Sequence, residues 1–157
     1  NFNGWQLTLS SLKAPIATIQ NEYSLLNRSV ESEVIPACDH LEVGFLAWSP
    51  LGRGVLTGKY RSGIPSDSRA ASSHFANFVE PYLNERCQTI VEAVQIAADG
   101  LGYSPTEIAL SWVRDSFGVT SSIVGARTAA QLKGSMRAEE ISLPEIVRSA
   151  LNDVSAI

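Results

Sequence analysis

Trp48, Lys59 and Arg69 frame a stretch whose residue types could hold a flat, anionic ligand. Trp48 follows the short apolar run Val43 to Ala47, which reads as a buried strand. The chain then turns on Ser49-Pro50 and passes Gly52, Gly54 and Gly58 in close succession. Glycine lets a backbone approach a ligand, and exposed N–H groups in such a turn suit an anionic group. Trp48 offers a flat face at the carboxyl end of the strand, where α/β folds place their ligands. Lys59 and Arg69 add positive charge suited to phosphate. Taken alone, a glycine-rich loop of this kind reads as a surface loop with a core tryptophan. A second candidate lies at Gly125-Ala126-Arg127, where a glycine entry and an arginine precede a helix, a reasonable though weak phosphate site.

The elements that must position these residues can be read in order. A short helix follows Asn1, with Leu7, Leu9 and Leu12 as its apolar side. Pro15 to Gln20 is β-branched and reads as a strand, followed by a loop at Asn21 to Ser24. Ser29 to His40 reads as a helix capped by Ser29, with Pro36 marking a kink or an internal start. Val43 to Ala47 is the second strand, so the first unit is strand–helix–strand with parallel strands. Residues 49 to 82 show little periodicity, and loops of that length are usually functional or disordered. Lys59 and Arg69 favour function, and a short helix is expected near Ser72 to Val79.

Two longer helices follow. Asn84 to Leu101 carries Ile90, Val91, Val94, Ile96 and Ala97 on one side and ends near Gly100 or Gly102. Ser104-Pro105-Thr106-Glu107 opens the next with a cap, a first-turn proline and a glutamate. Trp112 within it is read as core. Val119 to Val124 is the third strand, Gly125 to Leu132 runs from turn into helix, and a last helix spans Leu143 to Val154.

Composition limits the function classes. Apolar residues at 45% and charged residues at 18% describe a folded globular chain. A net charge of −4 gives no reason to expect nucleic-acid or membrane partners. No apolar run reaches the roughly 20 residues of a membrane span. Cys38 and Cys87 suggest neither a disulfide framework nor a metal site and are expected to be buried thiols. His40 and His74 are read as surface or packing residues, and no metal ligands are expected. A cytoplasmic location is expected.

The whole chain resembles the aldo-keto reductases, (β/α)8-barrel enzymes that use NADPH. The likeness runs through NF at 1–2, IQNEYSLLNRSVE at 19–31, AWSPLGRGVLTGKY at 47–60, IPSDSR at 64–69, EIALSWV at 107–113 and SSIVGARTAAQL at 121–132. The resemblance implies an α/β fold, the carboxyl-terminal half of the barrel with strands 6 to 8, and one partial oxidoreductase domain over residues 1–157. A full barrel needs about 250 residues, so the chain of 157 is expected to be a piece.

Carried over position by position, Asn1 and Gln20 would hold the nicotinamide carboxamide through their side-chain amides. Trp48 would stack on the nicotinamide. Ser49, Pro50, Leu51, Gly52 and Arg53 would form the turn around the diphosphate. Lys59 and Arg69 would lie on a loop closing over the cofactor. Gly125, Arg127 and Gln131 would surround the adenosine 2′-phosphate, which implies NADPH over NADH. Two departures stand out. Gly134 and Ser135 replace a glutamate and an asparagine that contact adenine, and Asp67 stands where relatives carry an aromatic ring. These predict weaker adenine binding and a looser closing loop.

The family's catalytic tyrosine, lysine, aspartate and histidine belong to the first half of the barrel. Tyr23, Tyr60, Tyr82 and Tyr103 match other positions, so no catalytic residue is expected in this chain. Three readings remain open at this stage. One is a fragment of an NADPH-dependent reductase of aldehydes or ketones, with a small carbonyl compound as substrate. Another is a non-catalytic or regulatory cofactor-binding subunit, since the potassium-channel β subunits share WSPL, IP and SR at this spacing. The third is an inactive truncated product, whose open sheet edges would favour self-association or association with the missing amino-terminal half.

Overall fold

The computed structural model describes residues 1–66, 68–72 and 76–157, with the Arg69 side chain outside that set. Three strands, β1 (Thr18–Glu22), β2 (Gly44–Trp48) and β3 (Val119–Ile123), form one parallel sheet in the order β1-β2-β3. Around it lie α1 (Gly4–Ser11), α2 (Val34–His40), α3 (Ala76–Val79), α4 (Glu85–Leu101), α5 (Pro105–Arg114), α6 (Ala129–Met136) and α7 (Glu145–Val154). The fold is α/β, as expected. α2 joins β1 to β2, and α4 and α5 lie between β2 and β3.

β1 sits two to three residues later than the β-branched run suggests. Its register is fixed by β2, with Thr18 opposite Gly44 and Glu22 opposite Trp48. The polar residues Asn21 and Glu22 are therefore strand, not loop, and Tyr23 continues the ladder by donating its N–H to the Trp48 carbonyl at 3.2 Å. β2 and β3 pair from Phe45–Val119 to Trp48–Ile123, with an irregularity between Phe45 and Leu46. There the Thr120 hydroxyl accepts the Phe45 N–H at 3.0 Å, replacing a ladder bond. The sheet is tight at Gly44 beside it, where a Cβ would sit 3.0 Å from Thr18 Cγ2 and 3.2 Å from Thr120 Oγ1.

One face of the sheet is covered. Ile19, Asn21, Phe45 and Ala47 are buried there, while Thr18 and Gln20 on the opposite face are exposed. Trp112 of α5 is buried as expected; its ring centroid is 5.5 Å from Tyr23, and its Nε1–H donates to Asn152 Oδ1 at 2.8 Å. Cys38 and Cys87 are buried free thiols, and burial pushes the Cys38 thiol up to about 11. His40 is exposed. His74 and Asp67 lie outside the described residues.

Several helices differ from their sequence pattern. Residues 29–40 divide into a 3₁₀ turn, Ser29–Glu31, and α2, whose first turn accommodates Pro36 because no intrahelical N–H is needed there. Ser29 lies inside the 3₁₀ turn and caps nothing. α1 buries Leu7; Leu9 and the C-cap Leu12 are exposed. α4 buries Cys87 and Ala98 beside Ile90, Val91 and Val94, whereas Ile96 is turned to solvent. Asn84 caps α4 and Gly102, at φ 73°, ends it. Ser104 and Glu107 form the expected capping box on α5. In α7, Leu151 is buried and Ile146 is 80% exposed. Between β2 and α4 lie 3₁₀ turns at Gly52–Thr57, Arg69–Ala71 and Glu80–Tyr82, with α3 starting at Ala76.

Asp115, the C-cap of α5, joins α5 to α7 through Arg114 at 2.6 Å and Arg148 at 2.8 Å. These bonds, Arg114 foremost, hold its carboxyl below the ordinary value of 3.8. The unfolded chain then binds the extra proton, so this contribution is present above pH ~4 and is lost as pH falls further. Asp115→Asn is expected to lower stability at neutral pH and to flatten the acid limb of a denaturation profile below pH ~4. Trp112→Ala should cost about 3–5 kcal/mol, read by urea denaturation.

Candidate functional site

Beyond Trp48 the backbone enters left-handed conformations at Ser49 (φ 54°), Gly52 (54°), Arg53 (59°) and Gly54 (91°). Glycine adopts these freely, but Ser49 and Arg53 hold strain of about 1–3 kcal/mol each and persist only where their surroundings impose it. The turn imposes it by bonding to itself. The Ser49 carbonyl accepts the Gly52 N–H at 2.9 Å, Ser49 Oγ accepts the Arg53 N–H at 2.8 Å, and the Leu51 carbonyl accepts the Gly54 N–H at 3.0 Å. The N–H groups that the sequence pattern offers to an anion are therefore already bonded at these three residues. Gly52 itself packs on Leu26, where a Cβ would lie 2.6 Å from Cδ1.

The Arg53 side chain is bonded within the protein. Its Nε and Nη2 donate to the two carboxylate oxygens of Glu22 at 2.8 and 2.7 Å. Nη1 donates to the Phe78 carbonyl, and the guanidinium carbon lies 4.1 Å from the Phe78 ring centroid and 4.8 Å from that of Tyr82. Tyr82 donates its hydroxyl to Glu22 Oε1 at 3.0 Å, and burial, reinforced by that carboxylate, pushes the phenol up to about 12. The sequence pattern pointed to none of Glu22, Phe78 or Tyr82. Glu22 could have been found from the register alone, since it stands directly across from Trp48.

Phe78 stacks on Trp48 at 6.5 Å with 14° between the planes. The Trp48 indole Nε1–H donates to Asn1 Oδ1 at 2.7 Å, so Asn1 reaches the site by orienting the ring. Gln20 lies on the open sheet face beside Leu46, one step before the Glu22–Trp48 pair, and is exposed.

A cavity of about 640 Å³ opens at the carboxyl ends of β2 and β3. Trp48, Ser49, Pro50 and Leu51 line it from β2, and Arg53 contributes to the same wall. Lys59 joins them from the connection; its Nζ would lie 3.0 Å from a Cβ on Gly54 and sits 5.0 Å from the Tyr60 ring. Gly125, Arg127, Gln131 and Ser135 line it from the β3 side, together with Gly134, around which a Cβ would meet nothing within 4 Å. The Arg127 N–H donates to Gln131 Oε1 at 2.9 Å, while the Thr128 hydroxyl caps α6 by accepting the Gln131 N–H at 3.2 Å. Arg69 has its backbone in the 3₁₀ turn Arg69–Ala71, and its side chain lies outside the described residues. Three segments distant in sequence thus meet at one cavity. A second cavity of about 340 Å³ holds charges that pair with one another, Arg28 with Glu31 and Arg148 with Asp115.

The Glu22–Arg53 pair is largely buried, so removing one partner strands a charge. Arg53→Met is expected to destabilise by about 3–5 kcal/mol. Adding Glu22→Gln should recover part of that loss, because the stranded carboxylate is gone; paired urea denaturation curves measure both.

The Aldo/keto reductase family model matches residues 1–156. The chain is 35% identical, over 98% of its length, to "Uncharacterized oxidoreductase YrpG" of Bacillus subtilis (strain 168), covering 47% of that protein. It is 34% identical, over 88%, to "Probable voltage-gated potassium channel subunit beta" of Arabidopsis thaliana, covering 42% of it. It is 35% identical, over 83%, to "L-glyceraldehyde 3-phosphate reductase" of Escherichia coli (strain K12), covering 38%. The chain spans less than half the length of these relatives. With a family model matched almost end to end, the chain belongs to the aldo/keto reductase family.

Proposed function

We propose that this chain is the carboxyl-terminal half of a (β/α)8 barrel, strands 6 to 8, and that it carries the NADP-binding wall of an aldo-keto reductase. The observation that carries this reading is the convergence of Trp48, Lys59 and Arg127 on one cavity at the strands' carboxyl ends. The residues fit the group. The cavity has the volume of a cofactor site, basic side chains stand on two separate walls, and a flat indole is fixed between Asn1 and Phe78.

Bound NADPH would supply the hydride that reduces an aldehyde or ketone to its alcohol. The chain's own residues bind and orient. Asn1 fixes the indole through its Nε1–H, and Phe78 backs one side of the ring. Lys59 offers charge to phosphate oxygens, and Arg127 offers charge suited to the adenosine 2′-phosphate. Gly134 and Ser135 leave the wall near α6 without the carboxylate and amide that relatives place there.

The proton donor must come from elsewhere. Among the described residues no tyrosine or histidine lines the cavity. Tyr23 and Tyr82 both donate to carboxylates, and burial pushes both phenols up, away from useful acidity. The catalytic acid therefore belongs to an amino-terminal half that would pair with the unpartnered edges of β1 and β3, unless a second copy covers them. A cytoplasmic protein acting on a small carbonyl compound, without nucleic-acid or membrane partners, is the consistent picture. A second reading, a cofactor-binding subunit without turnover, draws on the likeness to the Arabidopsis protein named as a channel β subunit.

Titration with NADPH and NADH, followed by tryptophan and cofactor fluorescence, tests the reading. NADPH should bind more tightly, and Arg127→Ala should weaken NADPH roughly tenfold or more while hardly changing NADH. No binding of either cofactor would remove the proposal. Binding without carbonyl reduction in the full-length protein would favour the subunit reading.

A further inference from the structure

Ser68 is the one cavity-lining hydroxyl among the described residues that is both more than nine-tenths buried and without a hydrogen-bond partner. A buried hydroxyl normally finds a partner, and one left alone is costly. Its surroundings show that it had local options and does not use them. The Ser68 N–H donates to the Pro65 carbonyl at 3.0 Å, and its own carbonyl accepts the Ala71 N–H at 3.2 Å. The hydroxyl stays out of both bonds.

The neighbouring groups define what it faces. Two residues on, the Ala70 N–H donates to the Tyr60 hydroxyl, and Lys59 lies over the Tyr60 ring. Ser68 and Lys59 therefore flank one tyrosine on the same wall. Across that wall, the turn after Trp48 has its Gly52, Arg53 and Gly54 N–H groups bonded internally, and the Arg53 guanidinium is held by Glu22. A ligand phosphate there cannot draw on those backbone donors or on that guanidinium. Among the described residues on this wall, the Lys59 ammonium brings charge, and the Ser68 hydroxyl is the buried side-chain donor without a partner.

We infer that Ser68 is a ligand-binding residue, its hydroxyl donating to a diphosphate oxygen of the bound dinucleotide beside Lys59. The inference rests on the dinucleotide reading given above. It assigns to a neutral side chain part of the role that the turn's backbone gives up.

The test compares the purified wild-type chain with Ser68→Ala and Ser68→Thr, using two probes. NADPH carries both the diphosphate and the 2′-phosphate; adenosine 2′-monophosphate carries the 2′-phosphate and no phosphate at the 5′ position, hence nothing of the diphosphate. Ser68→Ala should weaken NADPH about tenfold, leave adenosine 2′-monophosphate unchanged, and be largely rescued by Ser68→Thr. Unchanged NADPH affinity in Ser68→Ala, with wild-type binding intact, would overturn the assignment of Ser68 alone. Equal weakening of both probes without rescue by threonine would overturn it too, since that marks a packing defect. A wild-type chain that binds neither probe would overturn the dinucleotide reading and this inference with it.

Discussion

Glu22 ends the first strand and Arg53 lies in the turn that follows the second, and the bidentate bond between them fixes how the chain leaves the sheet. Everything that shapes the cavity from that side hangs on this pair. Arg53 can hold its left-handed backbone because its guanidinium is clamped by the Glu22 carboxylate and by the Phe78 carbonyl. Phe78, so held, lies against Trp48, and Tyr82 closes the group by donating to the same carboxylate. In a largely buried setting such a pair gives position more surely than it gives net stability. Its value here is geometric.

The sheet supplies the other half of the construction. Parallel strands bring their carboxyl ends to one rim, and the β1–β2 and β2–β3 registers set Glu22, Trp48 and Ile123 side by side along it. The covered face carries the packing, through Phe45, Trp112 and Tyr23. The rim is left for ligands. Helix α6 begins just past β3 and is started by Thr128, which places Arg127 and Gln131 opposite the Trp48 wall.

Much of this was legible in the residues. The three strands, the capping box of α5, the glycine stop of α4 and the core role of Trp112 follow from short-range patterns, and those patterns held. Trp48 to Leu51, with Gly125, Arg127 and Gln131, line one cavity. What escaped is long-range. Glu22 looked like a loop residue because its strand character comes from pairing with Trp48, not from its own type. The resemblance puts Arg53 in a turn around a diphosphate, and nothing local reveals that a carboxylate thirty-odd positions earlier, at the end of β1, takes its guanidinium. Leu9, Leu12 and Ile96 fit an apolar stripe in sequence, yet their helices turn those positions to solvent. The free N–H groups of the glycine turn were misjudged for the same reason: a donor is available only if the turn around it has left it so.

Phe45 meets Val119 only after the chain has made its long excursion through the turn, the short helices and both long helices. Closing a loop of that size is already expensive in chain entropy, but the increment for making it longer is small, about 0.6 kcal/mol for each doubling. Folding speed suffers from such distant pairing more than stability does. The same arithmetic makes a change in the length of this excursion inexpensive for the sheet. Residues can be gained or lost between Thr57 and Ala76 at little expense to the sheet, so long as Arg53 and Phe78 still find each other. Diversification of the wall that faces the ligand is thereby uncoupled from the part of the chain that has to fold.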